Sequence, residues 1–403
     1  MNEVKAWFQT QQSQMASDLE SLCNICSGSD HLPGLIRVAQ WLTQYFAELG
    51  WDYNEYCLPT WSVVDDLGGR AEQQTHKALR WDWNGKQTTI STPRILMSIH
   101  YDTVYGVNSA FQKCARFDVD GEERMRGPGV IDAKGGIVVI KWALLGAMRF
   151  LDMDRVRLSV ILTPDEEIGS PATKSLWQQV APEFAFAMLY EPTMPDGAFV
   201  SERKGTGTFT VIVHGKAAHS GRNFDAGRNA ILHAAKIAAA ISALNGVHKG
   251  VTVNIGRIRG GDAVNVVPDL CVMRVNVRVT NTEEQLWIEK EMRRIQQEWD
   301  RPDQGFRVEF DGGIFAQPKT LDESVMPWIK RTESIVQSLG ETILWKPSGG
   351  ASDGNKLSAL GLPNIDTFGP EGDLLHSDQE WIRLASLPRK AQLSFKMLQS
   401  VFE

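Results

Sequence analysis

Cysteine is scarce in this chain. Five occur in 403 residues: Cys23, Cys26, Cys57, Cys114 and Cys271. An odd, scattered set excludes a disulfide framework and suits reduced thiols. Cys23-Asn24-Ile25-Cys26 has the spacing of a redox motif, but it follows a predicted helix with no strand before it. No second Cys pair completes a zinc ribbon, so these read as two incidental thiols. Long apolar runs are also missing, which leaves no helical span for a bilayer. The start, Met1-Asn2-Glu3-Val4-Lys5, lacks the basic and apolar stretches of a signal peptide. The expected compartment is the cytoplasm. Positive charge is not in excess: 42 Lys and Arg face 49 Asp and Glu, a formal net charge of -7. That argues against a nucleic-acid partner.

What is present is ordinary in amount, with 42% hydrophobic and 23% charged residues. A length of 403 residues exceeds what one compact core usually holds, so two domains are the default. Residues 2–22 and 33–49 read as amphipathic helices, and 52–57, 95–100, 156–162 and 184–190 as strands. An apolar run from Lys134 to Leu145 fits a buried helix. This alternation predicts an α/β catalytic domain, a central mixed sheet flanked by helices. The texture changes near Ser201. Segments 209–214, 251–258, 272–279 and 307–310 alternate apolar and polar residues, as half-solvated strands do. Helices at 227–244 and 282–298 lie between them. The order strand, helix, strand, strand, helix, strand is ferredoxin-like. The expected domains are 1–205, an inserted α+β domain at 206–311, and 312–403, with helices near 322–338 and 384–402. Pairing of an outward helix and an edge strand across a two-fold would make the insert a dimerisation or lid domain. Residues 58–93, with Trp61, Trp81 and Trp83, read as a hairpin or a lid near the cleft.

The chemistry begins at Ile95-Leu96-Met97-Ser98-Ile99-His100-Tyr101-Asp102. An apolar strand ends in an imidazole at its C-terminal edge, where open α/β sheets place their ligands. Asp102 is placed to accept the second N–H of that ring. Four further groups fall at similar junctions: Asp132, the pair Glu166-Glu167, Glu191 and His376. Any one of these acids alone would read as a solvated residue, a turn residue or a favourable charge at a helix N-terminus. Together, two histidines and three carboxylates can hold two divalent ions if one carboxylate bridges. One acid of the Glu166/Glu167 pair is then left as a proton shuttle for metal-assisted hydrolysis.

These motifs resemble the co-catalytic zinc amidohydrolases that include acetylornithine deacetylase, succinyl-diaminopimelate desuccinylase, aminoacylase-1 and the glutamate-releasing carboxypeptidases of the carboxypeptidase G type. The residues that carry the resemblance are His100-Tyr101-Asp102-Thr103-Val104, Gly127-Pro128-Gly129 through Gly136, Asp165-Glu166-Glu167-Ile168-Gly169-Ser170, Glu191-Pro192-Thr193 and Gly215-Lys216-Ala217-Ala218-His219-Ser220-Gly221. It covers nearly the whole chain, most weakly before residue 90. It implies two Zn2+ per chain, with Co2+ or Mn2+ as alternatives. His100 and Glu191 would hold one ion and Glu167 and His376 the other, with Asp132 bridging. Glu166 would be the general base and acid, and Asp102 would orient His100. A cis peptide would follow Asp132. His219 would donate to the oxyanion, typically from the partner subunit of a dimer. Asn265, Arg278, Gly349 and Gly350 would contact the substrate, with Arg278 forking its free carboxylate.

Two departures bear on specificity. Glu191 stands where aminopeptidases of this family more often have Asp, which goes with deacylases and carboxypeptidases. Asp311-Gly312-Gly313 stands where the glutamate-releasing members carry basic residues. The expectation is therefore a dinuclear zinc metallopeptidase or amidohydrolase. It would cleave an N-acyl amino acid or short peptide and release an amino acid with a free carboxylate. A dipeptidase or aminopeptidase of the same fold is the alternative within the class. A catalytically silent small-molecule carrier is the alternative outside it, although no ligand or base is missing. A thiol or serine hydrolase using Ser170, Cys114 and His219 would lack a Gly-x-Ser-x-Gly elbow.

Overall fold

A computed structural model describes residues 2–403. The larger domain is built on a six-stranded sheet in the spatial order Asp52–Tyr56, Ala78–Asn84, Arg157–Thr163, Ile95–His100, Phe186–Leu189, Asn364–Ile365. The last four strands run parallel, and the first two add antiparallel at one edge. All six residues of Ile95–His100 are buried, as expected of a strand covered on both faces. Ile95, Met97 and Ile99 join one core, with Val138 and Phe395 from the helices Lys134–Phe150 and Ser386–Phe402. Leu96 points the other way, into a smaller core with Trp177 and Leu357. The mixed sheet flanked by helices is thus present as read.

The insert is a four-stranded antiparallel sheet in the order Thr252–Gly260, Leu270–Val279, Gly205–His214, Arg307–Ala316. The helices Ala230–Ser242 and Thr282–Trp299 close a separate core with Val211, Val213, Met273 and Val275. This is the ferredoxin-like arrangement. The fourth strand is longer than its alternation suggested, because Gly312 (φ 94°) and Gly313 (φ 157°) carry it past Asp311.

Residues 58–93 hold two things. Trp61–Val64 and Arg70–Gln73 form a hairpin, but its contacts are with the insert. Val64 packs on Ile212 and Val272, on the sheet face opposite the helices. Asp66 at the tip lies among Arg257, Arg259 and Arg274. Arg70 pairs with Asp311 at 2.8 Å. The second element, Ala78–Asn84, is a strand of the central sheet. Its Trp81 is 2% exposed and belongs to the main core. Among the described residues no helix is long and apolar enough to cross a membrane.

Candidate metal centre

Parallel strands deliver the ligands to one edge of the sheet. His100 ends its strand and is 1% exposed. Its Nδ1 lies 3.1 Å from the Asp102 carbonyl oxygen and 3.2 Å from Asp102 Oδ1. Both can accept an Nδ1–H, which leaves the Nε2 lone pair for a ligand. His100 Nε2 is 3.1 Å from Asp132 Oδ1 and 3.9 Å from Glu191 Oε2. The other oxygen of Asp132 lies 3.2 Å from His376 Nε2, and Glu167 Oε2 lies 3.2 Å from that same nitrogen. Two triads result, His100–Asp132–Glu191 and Asp132–Glu167–His376, each with ligand atoms within 4.8 Å of one another. Asp132 is common to both. The peptide after it is cis, as the resemblance implied. His376 reaches the centre from a loop where it (φ 60°) and Leu374 (φ 62°) adopt the left-handed region. That region costs residues with a Cβ about 1–2 kcal/mol each.

The donor set fits a pair of divalent ions. Two imidazole nitrogens and three carboxylates are borderline ligands suited to zinc. Glu167 Oε1 is buried with no hydrogen-bond partner, an acceptor that a cation would satisfy. The acids are crowded as well as buried. Burial pushes Glu167 up to about 8, with the Asp132 charge adding to it. Burial pushes Glu166 up to about 7, opposed by His100 and Lys356. Glu191 is raised well above the carboxylate range, also by burial. Asp132 would rise by burial too, but hydrogen bonds from His100 and His376 hold it below the usual range. Such a cluster calls for positive charge at its middle.

Two other carboxylates hold the ligands' backbone. Asp102 accepts the Glu166 N–H at 3.1 Å, the Glu167 N–H at 3.2 Å and the Ser29 hydroxyl at 2.7 Å. It therefore ties His100 to the glutamate pair. Glu380 was not read from the sequence. It is fully buried and accepts the N–H groups of Ile131 (2.9 Å), Asp132 (3.1 Å) and Gly129 (3.3 Å), and the Tyr105 hydroxyl at 2.6 Å. Tyr105 also reaches the Ser377 carbonyl at 2.8 Å, beside His376. No local pattern around Gln379-Glu380-Trp381 marks this acid, since every partner is distant in sequence.

A cleft of ≈ 270 Å³ opens over Asp132, Glu166, Glu167, Glu191 and His376. Gly350 lines it, and Gly349 accepts from Arg278 Nη1 at 3.3 Å, so the insert touches the rim. Arg203, also missed, lines the cleft while donating to Asp366 at 2.6 Å and to the Gly350 carbonyl at 3.2 Å. His219 and Asn265 are not among the lining residues. His219 is exposed on the short strand Ala218–His219, its Nδ1 accepting from the Gly221 N–H at 3.1 Å. The neighbouring Ser220 donates to the Asn265 carbonyl at 2.9 Å, so the two insert residues share one exposed corner. Ser170 is buried and donates to Asp353 at 2.5 Å, which gives it no role as a nucleophile in this cleft.

Residues 201–302 match one family model, the M20 peptidase dimerisation domain. Over 394 residues, 97% of this chain and 90% of the relative, the sequence is 24% identical to carboxypeptidase G2 of Pseudomonas sp. strain RS-16. The M20 metallo-carboxypeptidase Sso-CP2 of Sulfolobus solfataricus has the same fold, with a TM-score of 0.75 at 15% identity over 96% of this chain and 99% of that one. So has the aminopeptidase PepT of Bacillus cereus, with a TM-score of 0.71 at 20% identity over 97% and 99%. The resemblance read from the motifs is borne out, and with it the enzyme class, for which the family implies zinc.

Proposed function

We propose that this chain is a two-zinc amide hydrolase of the carboxypeptidase or deacylase type, working as a homodimer on N-acyl amino acids or short peptides. The observation that carries the reading is the pair of triads sharing Asp132, with Glu166 beside them in one cleft. His100 and Glu191 would hold one ion, Glu167 and His376 the other, and Asp132 both. When bound, the dications supply Lewis acidity to a carbonyl and to water. Glu166 takes the proton of the attacking water and returns it to the leaving nitrogen. Asp102 keeps the His100 Nδ1–H engaged, so that Nε2 faces Asp132 and Glu191. Arg278 forks the free carboxylate of the substrate beside Gly349 and Gly350, with Asn265 a further contact.

His219 donates an N–H to the developing oxyanion. Its exposed corner, set apart from the cleft of its own chain, supports a supply from the partner subunit. Phe224, Leu232 and Val264 nearby are 59%, 59% and 105% exposed, the apolar cover of an interface. The matched dimerisation domain supports the same assembly. All five cysteines are free, which supports a reducing, cytoplasmic setting.

The test is a panel of N-acyl amino acids and dipeptides offered to zinc-loaded and chelated protein. N-acyl substrates should turn over only with metal, and amidation of their carboxylate should abolish the reaction. Loss of activity on blocking a substrate's amino terminus would instead indicate an aminopeptidase. Fewer than about one zinc per chain, with no gain on adding zinc, would indicate a silent carrier.

A further inference from the structure

A second cavity, of ≈ 190 Å³, shares a wall segment with the metal cleft. Pro192, Thr193 and Val200 line the cleft, whereas Asp196, Gly197 and Phe199 from the same stretch line the second cavity. Its other side comes from the helix Ser386–Phe402, which contributes Arg389 and Lys390.

Lys390 is the unusual member. Among the described residues five lysines are buried: Lys134, Lys141, Lys319, Lys356 and Lys390. Lys134 donates to the carbonyls of Leu22 and Ile25. Lys141, Lys319 and Lys356 are paired with Glu48, Asp366 and Asp353. Lys390 is 6% exposed, and its ammonium sits 4.3 Å from the centre of the Phe199 ring. Among the described residues it has no carboxylate at ion-pair distance. Three acids line the same cavity, and each is already engaged. Glu341 takes Arg389 through Nε at 3.2 Å and Nη2 at 3.1 Å. Glu371 lies 2.5 Å from Arg383 and 3.5 Å from Arg389. Asp196 is paired with Lys346. Buried charge is normally compensated. Burial lowers Lys390 to about 8, with Glu371 opposing, so the ammonium is still mostly charged at neutral pH.

We propose that this cavity is a binding site for a small oxyanion, a carboxylate or phosphate group, with Lys390 Nζ as its main donor and Arg389 Nη1 beside it. Nη1 is the nitrogen that the pair with Glu341 leaves free. The volume suits inorganic phosphate or a short carboxylic acid.

The test titrates the zinc-loaded full chain by calorimetry with inorganic phosphate and, separately, with acetate and L-glutamate. One saturable event is expected, weakened at least about tenfold by Lys390→Met, the loss of one charge-assisted hydrogen bond. Anion taken up at the metal centre would persist in that variant and so be told apart. A second readout needs no variant. Acetic anhydride labelling of Lys390 relative to the exposed Lys346 in the same sample, followed by mass spectrometry, should fall when the anion is present. Protection by phosphate alone identifies a phosphate group, and protection by the carboxylic acids identifies a carboxylate. Equal affinity in the wild type and Lys390→Met, absence of a saturable event, or labelling indifferent to all three anions overturns the proposal.

Discussion

The metal-binding corner and the His219 corner are built in opposite ways. His100, Asp132 and Glu191 are buried, and the backbone around them is pinned by Asp102 and Glu380. His219 and Asn265 are exposed and held by a contact within the His219 loop and another from that loop to the Asn265 carbonyl. A buried polar group must find partners, so its position is dictated by the chain that buries it. An exposed group takes its working position from whatever later covers it. On the proposed reading, one half of the site is complete in a single chain and the other half waits for a second copy.

The largest effect expected separates two neighbours within the first half. Glu166→Ala should keep its zinc and lose turnover by about 10²–10⁴-fold. Glu167→Ala should lose zinc as well. Metal analysis beside steady-state kinetics checks both. A Glu166 variant that lost its metal would merge the roles of the pair.

The second half is tested by His219→Ala. Zinc content should be unchanged and kcat lower by about 10²–10³-fold, the cost of one oxyanion donor. Mixing this variant with Glu166→Ala chains should restore activity, because a hybrid dimer regains one intact site. Mixed chains that form dimers yet stay inactive would place His219 with the cleft of its own subunit. A monomer by scattering at working concentration would remove the comparison altogether.

Asp102 and Glu380 offer a finer cut. Removing either acceptor frees two or more backbone N–H groups next to ligands. Asp102→Ala and Glu380→Ala are each expected to weaken metal binding about 10–100-fold, read by chelator competition. Unchanged affinity in Glu380→Ala would mean that the Asp132 loop holds its shape without that carboxylate.

The first half was also the more legible one. An apolar run ending in His100, and acids following strands at Glu166-Glu167 and Glu191, are local patterns, and the strands bring them together. Ala78–Asn84 escaped because charge hides its burial. Arg80 is 5% exposed, yet it is paired with Asp82 and with Glu183, a hundred residues on. A pairing of that kind leaves no trace in hydropathy. Glu380 and Lys390 escaped for related reasons. The partners of the one are distant N–H groups, and the other sits in an amphipathic helix where a lysine reads as solvated. The hairpin at 61–73 was legible as a hairpin but not in its docking, since Val64 meets Ile212 and Val272 only in three dimensions.

That hairpin joins the two halves, and it supplies the smallest effect. Asp66 lies among three arginines, but its side chain is 27% exposed and those of Arg257 and Arg259 are 54% and 65% exposed. Exposed pairs contribute about 0–1 kcal/mol and weaken with salt. Val64, 5% exposed, loses two buried methyl groups on truncation, worth about 1.6 kcal/mol. Asp66→Ala should therefore destabilise less than Val64→Ala in thermal unfolding, and its deficit should shrink at high ionic strength while that of Val64→Ala does not. The reverse order, or a salt-independent Asp66 effect, would make the charged tip rather than the apolar seat the attachment between the metal half and the insert.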